Sequence, residues 1–218
     1  MDQKADDKTI ASMLRKPEGE LGKQVAKNLN KSNFSMINQS IEALSVQDGD
    51  SILEIGFGNG AHIKDILSQA ENVHYVGIDF AETMVTVATE NYAQEIKNKQ
   101  VEIHLASSEN IPFDNGRFDK VLAVNTLYFW EKPEDHLQEI LRVLKPGGVM
   151  SLAIRSKVFM QKLPFVQHGF TMYTQEEAEK LIEENGFKIL KSEYTKEPMQ
   201  DFDGVVSEPD FIVIKAVK

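Results

Sequence analysis

The stretch Ile52-Leu53-Glu54-Ile55-Gly56-Phe57-Gly58-Asn59-Gly60 constrains this chain more than any other. Its apolar start is the pattern of a strand buried on both faces of a parallel sheet. Three glycines follow at every second position. From Ala61 to Ala70, residues Ile63, Ile66, Leu67 and Ala70 then fall on one helical face. The expected order is strand, glycine turn, helix. Glycine leaves φ free and puts no Cβ between the backbone and a ligand. The helix would aim its first N–H groups at the same place.

Taken alone, the turn admits two ligands. Gly56-x-Gly58-x-x-Ala61, with Asp79 at about the distance of a ribose-binding acid, fits the dinucleotide fingerprint. That reading would make the chain an NAD(P)-dependent oxidoreductase, but too little sequence follows residue 154 for a separate substrate domain. Glu54 stands two residues before Gly56, and Gly60 completes a G-x-G-x-G run. With these residues the stretch resembles motif I of the class I S-adenosylmethionine (SAM)-dependent methyltransferases. Asp79, Ile111-Pro112-Phe113, Phe118-Asp119 and Leu144-Lys145-Pro146-Gly147-Gly148 match further segments of that family. The resemblance runs motif by motif over residues 46–154 and to the end by element order. It is nearest the small-molecule methyltransferases of the ubiquinone/menaquinone-biosynthesis-like group, type 11.

The resemblance implies a Rossmann-like three-layer α/β/α sandwich. Its seven-stranded, mostly parallel sheet has the order 3-2-1-4-5-7-6, with the last strand antiparallel. SAM would be the cofactor and S-adenosylhomocysteine the product. By the same resemblance Glu54, Gly56, Gly58 and Gly60 form the cofactor turn, and Asp79 holds the ribose. Phe80 and Met84 lie beside the adenine, and Ser107 with the Ser108 backbone reads its edge. Ser107 stands where an aspartate is common, and a hydroxyl binds an amino group more weakly than a carboxylate does. Asn125 faces the methionine part, and Tyr128 and Trp130 border the acceptor.

Periodicity places the expected strands at 52–55, 73–78, 101–105, 118–124, 149–154, 187–194 and 211–217, with helices between them. Residues 1–45 show only helical patterns and are read as a helical cap or lid, ahead of a methyltransferase domain over 46–218 in one compact unit. Residues 155–172, apolar without a period, are read as an insertion over the pocket mouth. His168 is the histidine in that insertion and so the candidate base, since histidine titrates near neutral pH. Thr174-Gln175-Glu176-Glu177 reads as a capping box.

Composition narrows the function. The 218 residues carry a formal net charge of −10, with no basic run longer than Lys97-Asn98-Lys99. That argues against nucleic acid as substrate, which needs a basic surface. There is no cysteine. Disulfides, thiolate metal sites and thiol nucleophiles are therefore excluded, and the lack of thiolates argues against the arsenite-methylating branch of the family that the chain resembles. No apolar run approaches the roughly 18 residues of a membrane span, and the first residues are polar and acidic, unlike a signal peptide. The expectation is a cytoplasmic monomer or homodimer that methylates a small molecule and needs no metal. A SAM-binding protein that does not catalyse is the remaining alternative.

Overall fold

The computed structural model describes residues 5–202 and 205–218. Its strands are β1 (Ser51–Ile55), β2 (His74–Asp79), β3 (Val101–Leu105), β4 (Phe118–Val124), β5 (Leu144–Arg155), β6 (Lys188–Lys196), β7 (Gln200–Phe202), β8 (Val205–Ser207) and β9 (Asp210–Val217). Seven form one sheet in the order β3-β2-β1-β4-β5-β9-β6, while β7 and β8 pair with each other. Counted within the sheet, this is the expected 3-2-1-4-5-7-6. The five strands from β3 to β5 are parallel, and β9 runs antiparallel to both β5 and β6.

Alternation along β1 builds the three layers. Leu53 and Ile55 join a cluster with Leu137 and Ile140 of α7 (Pro133–Val143) and Ala178 and Ile182 of α9 (Gln175–Glu184). Ile52 points the other way, with Ile41 and Leu44 of α3 (Phe34–Leu44) and Ile63 and Ile66 of α4 (Ile63–Leu67). Glu54 shares that second face, since side chains alternate along a strand.

Before the sheet come α1 (Asp7–Arg15), α2 (Gly19–Ser32) and α3. Asp6 caps α1, its carboxylate accepting the Thr9 N–H at 2.7 Å. α3 packs across β4, β5 and β9, and α1 rests on α2 and on a 3-10 turn over Pro164–Gln167.

Four local expectations change. α4 has five residues rather than the ten of Ala61–Ala70. The Ser68 hydroxyl and Gln69 amide both bond the Asp65 carbonyl, at 2.9 and 3.0 Å, and compete with the helical ladder. So short a helix adds little dipole to the glycine turn. The helix expected between the second and third strands breaks at Tyr92 into α5 (Glu82–Asn91) and α6 (Ala93–Lys97). β5 starts at Leu144 rather than at residue 149, and Leu144 pairs with Phe118 before a register shift, so the glycines at 147–148 lie inside a bulged strand. Finally, 155–172 is not a loop without structure. It contains α8 (Lys157–Met160) and the 3-10 turn, and buries Phe159, Met160, Leu163 and Val166 in the main core. The capping box at Thr174 and Glu177 forms as expected.

Candidate functional site

A cavity of about 380 Å³ opens over the carboxyl ends of β1, β2 and β4. Small-ligand sites span roughly 300–1,000 Å³ and favour this edge of a parallel sheet. Its floor is Glu54 to Asn59, Asp79, Phe80, the run Ala106 to Glu109, and Val124 to Thr126. Its roof comes from the N-terminal helices, through Leu14, Arg15, Ala26, Leu29, Asn30 and Ile37.

The first two glycines of the turn are bonded to β2. Gly56 and Gly58 have φ of +72° and +59°, a region that L side chains avoid. The Gly56 N–H donates to the Ile78 carbonyl at 2.8 Å. The Gly58 N–H donates to Asp79 Oδ2 at 3.0 Å, while Asp79 Oδ1 accepts the Ala81 N–H at 2.9 Å. Asp79 is 6% exposed. Burial pushes its carboxyl up to about 6, against the pull of the Ala81 and Gly58 N–H groups. Phe80 beside it is 43% exposed, an open aromatic face at the cavity.

On the next loop the Ser108 hydroxyl lies 2.7 Å from His136 Nδ1. The His136 ring stacks on Trp130 at 4.6 Å with a 5° interplanar angle. Burial lowers the His136 pKa, against the Glu109 charge at 3.4 Å that favours the imidazolium. Across the floor, Asn125 adopts φ +57° and its Oδ1 accepts the Tyr128 hydroxyl at 2.7 Å. Tyr128 also accepts the Arg155 N–H.

Glu54, Gly56, Gly58, Asp79, Phe80, Ser107, Ser108, Asn125 and Trp130 are brought together around one cavity. Four expected residues stand elsewhere. Gly60 serves packing, since an added Cβ would come 2.8 Å from Ile63 Cδ1. Met84 is fully buried with Phe57, Ala81 and Ala88. Tyr128 lies beneath the wall, buried and bonded to Asn125, and burial raises its phenol pKa further from any base role. His168 is exposed, and no residue of 155–172 lines the cavity. The sequence reading missed His62 and His136. Only His62, two residues after the last glycine, carried a signal in its spacing.

The residues present suit the cofactor implied by the resemblance. A carboxylate ends β2 beside an open aromatic ring. A Cβ added at Gly58, which lines the cavity, would meet no protein atom within 4 Å, so the turn leaves its backbone open to a ligand.

A family model described as a methyltransferase domain matches residues 53–152. The chain is 35% identical over 125 residues to the uncharacterized methyltransferase YdaC of Bacillus subtilis, covering 57% of this chain and 67% of that one. It is 30% identical over 152 residues to a demethylmenaquinone methyltransferase of Clavibacter sepedonicus (70% of this chain, 59% of the other). It is also 30% identical over 124 residues to the erythromycin 3''-O-methyltransferase of Saccharopolyspora erythraea (57% and 40%). The chain therefore spans between two-fifths and two-thirds of the length of these relatives. Among solved structures, a chain in the complex of the Haloferax volcanii Trm112 methyltransferase activator superposes with a TM-score of 0.77 at 17% identity (88% of this chain, 92% of that one). The [4+2]-cyclase SpnF does so at 0.70 and 18% (84% and 80%). At such identities the likeness shows the fold alone.

Proposed function

Because this chain belongs to the class I SAM-dependent methyltransferases, we propose that it methylates a small molecule held under its N-terminal helices. The observation that carries this is the cavity, with a polar floor at the strand ends and a mostly apolar roof. In this reading Asp79 takes the ribose hydroxyls, Phe80 covers the adenine, and Ser107 and Ser108 meet its edge. Asn125 faces the methionine part. When bound, SAM supplies a methyl group already activated by its sulfonium.

The chain's own part is to hold the acceptor atom in line with the S–CH₃ bond and to keep water out. Positioning of this kind is worth about 7–11 kcal/mol in the best cases. Leu14, Leu29, Ile37, Phe129 and Trp130 supply the walls for an apolar acceptor. Arg15, the one Lys or Arg side chain among the described lining residues, is paired with Glu131 at the rim at 3.2 Å. The two cavity histidines are committed, His62 to Glu54 and His136 to Ser108. The reading therefore favours an acceptor that is nucleophilic without help from a protein base.

The test is transfer of an isotopically labelled methyl group from SAM to a panel of phenols, amines, thiols and acidic carbon compounds. Labelled product with one chemical class supports the reading. Failure to bind either SAM or S-adenosylhomocysteine in a calorimeter would overturn it.

A further inference from the structure

Glu54 is the carboxylate that the motif offers to the cofactor, yet both of its oxygens are taken. Oε1 lies 2.6 Å from His62 Nε2, and Oε2 accepts the Tyr75 hydroxyl at 2.6 Å. The Glu54 side chain is 2% exposed and that of His62 12%. The two bonds hold different things. Tyr75 stands on β2, next to β1, and fixes the carboxylate against the sheet. His62 stands two residues past the last glycine of the turn and bonds back to the strand before it. Gly77, opposite Glu54 in the ladder, makes the space, since a Cβ there would come 2.7 Å from the Phe57 ring and 3.0 Å from the Tyr75 oxygen.

The turn needs such a tie. Gly56, Gly58 and Gly60 all have positive φ, and glycine loses the most conformational freedom when it is fixed. Five-residue α4 cannot hold the turn by its own cooperativity, which builds only over longer helices. Within the turn the Gly60 N–H donates to the Phe57 carbonyl at 3.1 Å and the Ala61 N–H to Asn59 Oδ1 at 3.2 Å, but these bonds are local; what ties the far end to other elements is the Tyr92 hydroxyl on the Gly60 carbonyl at 2.8 Å and the His62–Glu54 contact.

We propose that His62 is a positioning residue for the cofactor: through Glu54 it clamps the glycine turn while its imidazole is protonated, and it slackens that clamp when the proton leaves. This rests on the cofactor reading above. Burial opposes charge on His62, but the Glu54 charge and hydrogen bond outweigh it, and Asp65 adds to them, so its pKa lies above the ordinary value. Tyr75 and Tyr92, the other groups at the turn, have pKa values raised by burial and stay neutral across this range. Asp79 loses its charge on the acid side, near 6. Cofactor affinity thus has two limbs. It rises as Asp79 ionises and falls as pH climbs through the His62 pKa.

The experiment is calorimetric binding of S-adenosylhomocysteine between about pH 5.5 and 9, the range where carboxyl, imidazole and amino groups titrate. Wild type is compared with His62→Gln, which keeps a neutral donor for Glu54, and His62→Phe, which does not. The ligand's own ammonium titrates equally in all three, so the difference between proteins is what counts. Wild type should lose about fivefold or more in affinity on the alkaline limb relative to His62→Gln, and His62→Phe should bind weakest throughout. In the wild type alone, the His62 ring titration followed by NMR should move to higher pH when the ligand is bound. An alkaline limb unchanged in His62→Gln, or a His62 titration unmoved by ligand, overturns the clamp alone. No binding at any pH overturns the cofactor reading together with it.

Discussion

Replacing Gly56 with alanine should be costly for two separable reasons. Its φ of +72° lies in the left-handed region, which costs an L-residue about 1–2 kcal/mol. The added Cβ would stand 2.6 Å from Thr126 Cγ2, and forcing a methyl into packed space typically costs about 1–3 kcal/mol. Together these predict a loss of about 2–5 kcal/mol. Thr126→Ser removes the offending methyl and keeps the hydroxyl, at a cost of about 0.8 kcal/mol for one buried carbon. The double variant then retains the φ penalty but not the overlap. A double-mutant cycle from urea unfolding, followed by circular dichroism, should return a favourable coupling of about 1–3 kcal/mol. Effects that add to within about 0.5 kcal/mol would refute the argument. Thr126 would then not limit the space at the turn.

Asp79→Asn should separate stability from binding. The carboxyl of Asp79 is raised from 3.8 to about 6, so its stabilising share is present below the ordinary pKa and lost as pH rises through 6. The buried charge then costs about 3 kcal/mol at neutral pH. The amide removes that charge but leaves two backbone donors with one acceptor oxygen, at about 1–3 kcal/mol. The melting temperature should therefore change little, while S-adenosylhomocysteine affinity falls tenfold or more, about 1.4 kcal/mol. A large loss of stability with binding retained would contradict this. Glu197→Gln breaks the buried pair with Arg155 and should cost about 3–5 kcal/mol in chemical unfolding. Tyr128→Phe strips a donor from Asn125 and an acceptor from the Arg155 N–H, a loss of about 1–3 kcal/mol in the same assay. His168→Ala, exposed and outside the cavity, should leave the rate of labelled methyl transfer within twofold.

The sheet was legible because its signals are local. The residues Ile52 to Ile55 and Val121 to Ala123 mark buried strands, and Gly56 and Gly58 after β1 mark where the cavity meets the backbone. What failed was decided by contacts distant in sequence. Ala61 to Ala70 has helical spacing throughout, but His62 is drawn to Glu54 and the side chains of Ser68 and Gln69 end the helix early. Met84 and Phe80 are both apolar and four residues apart. Only their placement, one in the core and one at the cavity, separates them. The insertion drew attention to His168 because apolar loops often border sites. Its apolar residues instead fill the core beside β5, and its 3-10 turn supports α1 from outside. His136 sits in an ordinary amphipathic helix, where nothing in the spacing marks it as a neighbour of Ser108.

The last strand of the chain, β9, does not sit at the sheet edge but between β5 and β6. α3 lies across β5 and β9. The Arg155 guanidinium, at the end of β5, donates to the Ser32 carbonyl and Asn33 Oδ1 at 2.6 and 3.1 Å, and the Thr195 hydroxyl meets Gln39 at 3.1 Å. α2 and α3 are therefore seated by residues 122 to 156 positions further along the chain. A growing chain makes the glycine turn and the parallel strands β1 to β4 before the residues that fix these helices over the cavity, so the roof of the cavity settles later than its floor.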